Sequence, residues 1–250
     1  MQKKMSEQDA IRHRYERRKM TTPPDRYDPV KSDVWYAIRE RESVMLHLLW
    51  KKGHHSLVPL RVLEVGCGAG KNLLDLLRLG VQPARLTGLD LLEERVAEAT
   101  RVLPPGIASA CDALNADVPP ASQDLILAWT VFSSIMDDAY QEGLASTMWR
   151  WLKPGGAIVW YDFVWNNPRN RDVRAIPVRR VKRLFPEAVI QTRRLTLAPP
   201  IARWACAINP SLYSILNTVP LLRSHVMCWI EKPSIPSHPE PARQAGPAKK

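Results

Sequence analysis

Three glycines at alternate positions follow a short apolar run in Val62-Leu63-Glu64-Val65-Gly66-Cys67-Gly68-Ala69-Gly70. The run reads as a buried strand, and Lys71 to Gly80 after it reads as a helix. In doubly wound sheets ligands sit at the carboxyl ends of strands, where this turn lies, and glycine lets the backbone come close to them. A phosphate-cradling loop needs G-x-x-x-x-G-K-[ST]. Counting back from Gly70-Lys71 puts Val65 at the first glycine, and Asn72 follows the lysine, so that reading fails. A dinucleotide fingerprint needs G-x-G-x-x-G. Lys71 stands at its third glycine and Gly70 comes one residue early, which weakens that reading without removing it. The cysteines (Cys67, Cys111, Cys206 and Cys228) form no C-x-x-C pair. Zinc-ribbon and dithiol chemistry are therefore not expected, and no His/Asp spacing suggests a metal site. Cys67 reads as a small turn residue, because no sequence neighbour would activate its thiol.

The segment resembles motif I of the class I S-adenosylmethionine-dependent methyltransferases, E/D-x-G-x-G-x-G. Asp90 ends the second expected strand, Asp112 follows the third in CDAL, DLILAWTVFSS spans 124–134, and WLKPGGAIVWYDF spans 151–163. All four stand in that family's order and spacing. The resemblance implies S-adenosylmethionine as cofactor. Gly66, Cys67, Gly68 and Gly70 would lie against its amino-acid part, and Glu64 would help hold the ammonium directly or through water. Asp90 and Leu91 would meet the ribose, Asp112 and Ala113 the adenine, and Trp129 and Thr130 the wall at the end of the fourth strand. Two of these acids have a second reading. Asp90 could cap the following helix, and Asp112 could be turn chemistry.

Strands are expected at 61–65, 85–90, 107–111, 124–130, 157–163, 188–198 and 224–232, with helices at 32–52, 71–80, 91–103, 137–152 and 178–185. Ser32 is a candidate cap for the first of these helices. Pro154-Gly155-Gly156 is read as a turn, and 199–222 as short helices broken by prolines. The alternation implies an α/β fold, a doubly wound, mostly parallel, seven-stranded Rossmann-like sheet with helices on both faces. The expected organisation is a helical lid or arm at 1–56 and a methyltransferase domain at 57–232. A basic acceptor-side insert around 164–223 belongs to that domain. A Pro-rich tail at 233–250 has no apolar periodicity and is expected to be disordered.

The chain has 250 residues and a formal net charge of +11. Residues 61–163 are net −5, whereas 164–203 are net +8 and 1–60 net +5. The basic flanks suggest an anionic partner or pairing with the acidic core. No signal-like apolar segment and no span-length apolar run is visible, so a reducing cytoplasm is the expected compartment.

The acceptor pocket in the resembled family comes from the N-terminal lid and the inserts after strands four and five. Candidates are Trp35, Tyr36, Arg39, Phe132, Ser133, Asn166, Asn167 and Arg169, with Asp162 and Tyr161 as candidate catalytic groups. Ala128-Trp129-Thr130-Val131 stands where amino-directed enzymes of the class carry N/D-P-P-Y/F, which disfavours amide or exocyclic-base methylation. Y-D-P at 27–29, R-E-R-E at 39–42, WYDF with NNPRN, and RLTLAPP at 194–200 resemble a group of bacterial small-molecule methyltransferases. Some of that group are similar to enzymes of surface-polysaccharide clusters. The expected acceptor is thus a small molecule or glycan, methylated at oxygen. An anionic sugar or lipid-linked saccharide would meet the arginines of 169–183 through bidentate pairing. An RNA substrate is the alternative prompted by the basic flanks, although no RNA-binding module is visible. A non-catalytic cofactor-binding protein is another. Peripheral membrane contact through 199–222 would add to any of these readings.

Overall fold

The computed structural model describes residues 5–166 and 170–234. Its strands are β1 (Val62–Val65), β2 (Leu86–Asp90), β3 (Ala108–Ala110), β4 (Gln123–Trp129), β5 (Leu152–Phe163), β6 (Val189–Leu197) and β7 (Arg223–Glu231). They form one sheet in the order β3-β2-β1-β4-β5-β7-β6. The pairs from β3 to β5 are parallel, and β7 runs antiparallel between β5 and β6. The helices are α1 (Glu7–Thr21), α2 (Ser32–Lys51), α3 (Lys71–Arg78), α4 (Glu93–Ala99), α5 (Asp138–Trp151), α6 (Val178–Leu184), α7 (Pro199–Ile208) and α8 (Ser211–Leu216). None of the described helices is long and apolar enough to cross a membrane.

Register aligns the strand ends that matter. Val65 pairs with Leu89 on one side and Ala128 on the other, and Trp129 pairs with Tyr161. The loops leaving β1, β2, β4 and β5 therefore open along one edge of the sheet. Both faces are covered. On one, Trp151, Trp160 and Phe132 pack with Met148 of α5 and Val181 of α6. On the other, Leu48 of α2 and Leu73 and Leu76 of α3 pack with Leu125 and Trp229. Complete burial of each such side chain stabilises by about 2 kcal/mol before entropy is counted.

The segment expected as a lid or arm divides between these faces. Ile11 of α1 joins the first core, whereas Met45, Leu48 and Leu49 of α2 join the second. Local details also depart from expectation. Lys31, not Ser32, occupies the cap position of α2, and no side chain caps that helix. Pro154 to Gly156 lies within β5 rather than in a turn. Strand β4 passes so close there that a Cβ on Gly156 would meet the Asp124 carbonyl oxygen at 2.9 Å. Helix α4 begins only at Glu93, because Asp90 accepts the backbone N–H of Leu92 and holds that residue outside it. Most of the proposed tail lies outside the described residues.

A small third core joins α2 to the insert. Tyr36 stacks on Tyr213, with ring centroids 5.2 Å apart. Glu40 accepts from the Thr196 backbone N–H (2.9 Å), the Tyr213 hydroxyl (3.1 Å) and Asn217 Nδ2 (2.7 Å). Thr196 has φ 65°, a left-handed conformation that a β-branched residue rarely takes. Glu40→Ala leaves these donors without their partner and is expected to cost about 3 kcal/mol of stability. Urea unfolding at neutral pH measures the loss.

Candidate active site

A cavity of about 700 Å³ opens along the shared edge of the strand ends. The glycine turn forms its floor. Gly66 and Cys67 donate backbone N–H groups to the Leu89 carbonyl, which ties the turn to β2. Gly66 has φ 70°, and a Cβ there would meet Val131 Cγ2 at 2.6 Å. Gly68 has φ 53°, and a Cβ there would meet Arg95 Nη2 at 2.5 Å. Both positions thus need glycine for conformation and for space.

Asp90 is held by two main-chain donors, Gly68 N–H at 2.7 Å and Leu92 N–H at 2.9 Å. Each carboxylate oxygen retains a lone pair toward the cavity that Asp90 lines. Asp112 caps a 3-10 turn through Leu114 N–H (3.0 Å) and accepts from the Tyr140 hydroxyl (2.6 Å) and Gln8 Nε2 (2.6 Å). Burial, then the bond to Asp112, push the Tyr140 phenol above its ordinary range, so it remains a donor. The Gln8 bond brings α1 over this end of the cavity. Arg14 Nη2 donates to the Ser134 carbonyl at 3.0 Å, and Tyr15 lies between Arg18 and Arg95.

Beneath the turn lies an interior ionic chain. Glu64 is fully buried and accepts from Asn72 Nδ2 at 2.5 Å, while its Oε2 has no partner among the described residues. Asn72 Oδ1 in turn accepts from Arg41 Nη2 at 3.1 Å. The Arg41 guanidinium lies 4.3 Å from the Trp129 ring centroid and 5.3 Å from that of Tyr161. Burial pushes the Glu64 carboxyl up to about 7 and pulls Arg41 below its ordinary value.

Several expected site residues lie elsewhere. Glu64 and Gly70 do not line the cavity. The first lies beneath Asn72, and a Cβ on the second would point at Leu103 and Ala99. Tyr36 is engaged by Tyr213, and Arg39 covers Trp35 and pairs with Glu42. Phe132 is completely buried against Trp160, with centroids 4.1 Å apart. Neither catalytic candidate reaches the cavity. Tyr161 stacks on His225 and its hydroxyl meets Thr196 Oγ1 at 2.9 Å. Asp162, on the opposite face of the strand, is buried and accepts from the Ser133 and Phe163 N–H groups. Burial pushes Tyr161 up to about 12 and Asp162 up to about 7. Two arginines of the insert are also occupied: Arg174 and Arg180 pair with Asp138, and Arg180 also with Glu142.

Gly66, Cys67, Gly68, Asp90, Leu91, Asp112, Ala113, Trp129, Thr130, Ser133 and Asn166 do line the cavity. Burial raises the Cys67 thiol above its ordinary value, which keeps it protonated. Asn167 and Arg169 lie outside the described residues. The expected set omits Arg41 and Asn72. The helical stripe Arg41, Met45, Leu48 carries the signal for the first, since i, i+4 and i+7 share a face.

Residues 62–156 match the model of a methyltransferase domain. Solved structures share the fold at low identity. A SAM-dependent methyltransferase from Mesorhizobium loti is 17% identical, with 69% of this chain and 90% of that chain covered, at a TM-score of 0.52. One from Archaeoglobus fulgidus is 16% identical, with 77% and 94% covered, at 0.54. Geranyl diphosphate C-methyltransferase from Streptomyces coelicolor A3(2) is 16% identical, with 78% of each chain covered, at 0.56. Comparison with curated proteins gave no match. Residues 62–156 thus carry a methyltransferase domain, and the sheet order is that of the fold shared with the solved S-adenosylmethionine-dependent methyltransferases. The cavity floor suits S-adenosylmethionine. The left-handed glycines leave room for close approach, and Asn72, bonded to the buried Glu64, lines the cavity above that carboxyl.

Glu64 also makes stability depend on pH. Its folded value is raised above the ordinary 4.5, so its contribution is intact below pH 4.5 and is lost as pH rises toward 7. Glu64→Gln removes that loss. Without cofactor, the variant should match wild type near pH 4.5 and exceed it by about 3 kcal/mol at pH 8. Chemical denaturation across that range tests this, and parallel curves would refute it.

Proposed function

We propose that the enzyme transfers the methyl group of S-adenosylmethionine to a small-molecule or glycan acceptor, at an oxygen that is already ionised. The observation that carries this reading is one continuous cavity. Its floor is the glycine turn with Asp90, and its far wall is Trp165, Asn166, Pro199 and Arg203 from the insert. When bound, the cofactor supplies a methyl group on a cationic sulfur. The chain supplies position and shelter.

Asp90, pre-oriented by Gly68 and Leu92, accepts from the ribose diol, and a carboxylate can take both bonds. Leu91, Asp112 and Ala113 border the adenine. Glu64 neutralises the ammonium, with Asn72 as intermediary, and Arg41 faces the cofactor carboxylate. Trp129 and Thr130 wall the reacting end. The Trp129 ring is fixed by its Nε1 donating to the Val159 carbonyl at 3.1 Å. Helix α1 closes the cofactor end through Gln8 and Arg14, which excludes water and favours in-line geometry.

The acceptor atom follows from the groups available to it. Among the described residues, the cavity is lined by no histidine, lysine or glutamate. Its two aspartates, Asp90 and Asp112, belong to the cofactor half. An un-ionised alcohol needs a general base. A carboxylate or acidic phenolate oxygen does not.

Calorimetric titration with S-adenosylhomocysteine tests the cofactor half. Asp90→Ala is expected to weaken binding at least about 30-fold, the loss of two hydrogen bonds to a charged acceptor. Equal affinity in wild type and variant would sink the assignment. Binding should also release up to one proton near pH 6, because an ammonium beside Glu64 favours its ionised form. Titrations in buffers of different ionisation enthalpy read that number directly. Transfer of labelled methyl to anionic sugars and phenols, against neutral alcohols, tests the acceptor.

A further inference from the structure

The cavity wall carries a charge imbalance. Arg18, Arg26, Arg41, Arg95 and Arg203 line it, against only Asp90 and Asp112. Both aspartates already accept from backbone N–H groups, and Asp112 also accepts from Tyr140 and Gln8. Several arginines elsewhere are paired: Arg14 with Glu7, Arg17 with Asp172, and Arg174 and Arg180 with Asp138. None of the five cavity arginines makes an ion pair among the described residues. Arg18 Nη1, Arg41 Nε and Arg95 Nε are buried donors without a partner there.

S-adenosylmethionine aggravates the imbalance, since sulfonium and ammonium outweigh its single carboxylate. Guanidiniums do not shed their protons at neutral pH. Like charges gathered in one partly desolvated cavity repel one another. An acceptor that shares the cavity with the cofactor must therefore bring negative charge.

Arg41 and Arg95 lie at the cofactor end, beside Asn72 and Gly68. Arg18 shares the Tyr15 ring with Arg95. Arg26 and Arg203 come from the other side, from the turn after α1 and from the first turns of α7, whose positive end (Ala198 to Pro200) also borders the cavity. Both side chains line the same cavity. Burial and then the charge of Arg26 pull Arg203 below its ordinary value, against the opposing influence of Asp33 and Tyr27. Neither side chain donates a hydrogen bond to the described chain. Tyr27 and Trp165 flank them with ring surface.

We propose that Arg26 and Arg203 form an anion site that holds a phosphate or diphosphate group on the acceptor. Two guanidinium forks from separate elements, both lining one cavity, match the several oxygens and double charge of such a group. This deepens the methyl-transfer reading and rests on it. It also moves the anion contact away from the arginines of α6, which point at Asp138 and Glu142 of α5 or outward.

The test uses the full chain, saturated with S-adenosylhomocysteine, titrated calorimetrically with inorganic pyrophosphate. Wild type is expected to bind below millimolar concentration. Arg26→Gln with Arg203→Gln should weaken pyrophosphate at least tenfold, with S-adenosylhomocysteine affinity kept within twofold. The melting temperature of the double variant should hold, since no internal hydrogen bond is lost. Arg183→Gln, on α6 outside the cavity, should leave pyrophosphate binding as in wild type. No binding to wild type, or equal binding to the double variant, would overturn the site. So would malonate binding in preference to pyrophosphate, which would replace the phosphate by a dicarboxylate. If S-adenosylhomocysteine itself fails to bind wild type, the cofactor reading falls and takes this site with it. If it binds and pyrophosphate does not, only the anion site falls.

Discussion

A carboxyl group with no access to water cannot keep its charge without a partner, and the active-site architecture is arranged around that constraint at Glu64. The residue sits in β1, an interior strand enclosed on both faces. Asn72 covers one oxygen and Arg41 lies beyond Asn72. Asn72 can do this only because the glycine turn brings α3 directly over the end of β1. Arg41 can do it only because α2 packs flat on the same sheet face. One electrostatic requirement thus links strand, turn and two helices that are remote in sequence. The second oxygen has no partner among the described residues, so a cation held in the cavity above Asn72 would stabilise the ionised form.

The two ends of the cavity are built differently. The cofactor end is made of main chain, short turns and acids pinned by backbone N–H groups, a rigid frame that costs little reorganisation when a ligand arrives. The other end is made of side chains from segments that join late in the fold, and it is rich in arginine. A fixed chemistry with an exchangeable acceptor would be served by such a division, because the insert can change without disturbing the turn. The sheet order supports the same separation: β1, β2 and β4 shape one end, and the segments after β5 shape the other.

The cofactor end was legible in the sequence because its signals are local. A strand, alternate glycines and an acid at the end of the next strand all fall within a single strand–helix–strand unit, and the fold follows from repeating that unit. The far end was less legible because its geometry is tertiary. Arg39 and Arg41 differ by two positions on α2, and only the stripe shared with Met45 and Leu48 separates the one that faces the interior. Tyr161 and Asp162 stand at the right strand end, yet the pleat sends one toward His225 and the other under Ser133. Phe132 reads as an exposed loop aromatic until Trp160 is seen to cover it. Arg174 and Arg180 look free in one dimension, because their acidic partners lie on α5, with the whole of β5 in between. Arg203 follows two prolines in an apolar stretch, where nothing nearby marks it as a ligand.

Strand β7 lies between β5 and β6 although it is the last of the strands to be made. During synthesis β1 to β5 can pair in nearly their order of emergence, while β6 has no neighbour in the sheet until residues 223–231 leave the ribosome. The Glu40 anchor to Thr196, Tyr213 and Asn217 depends on that late insertion. A nascent chain would therefore hold a formed cofactor floor before it has an acceptor wall, and the metabolite could act as a folding partner for the unfinished polypeptide.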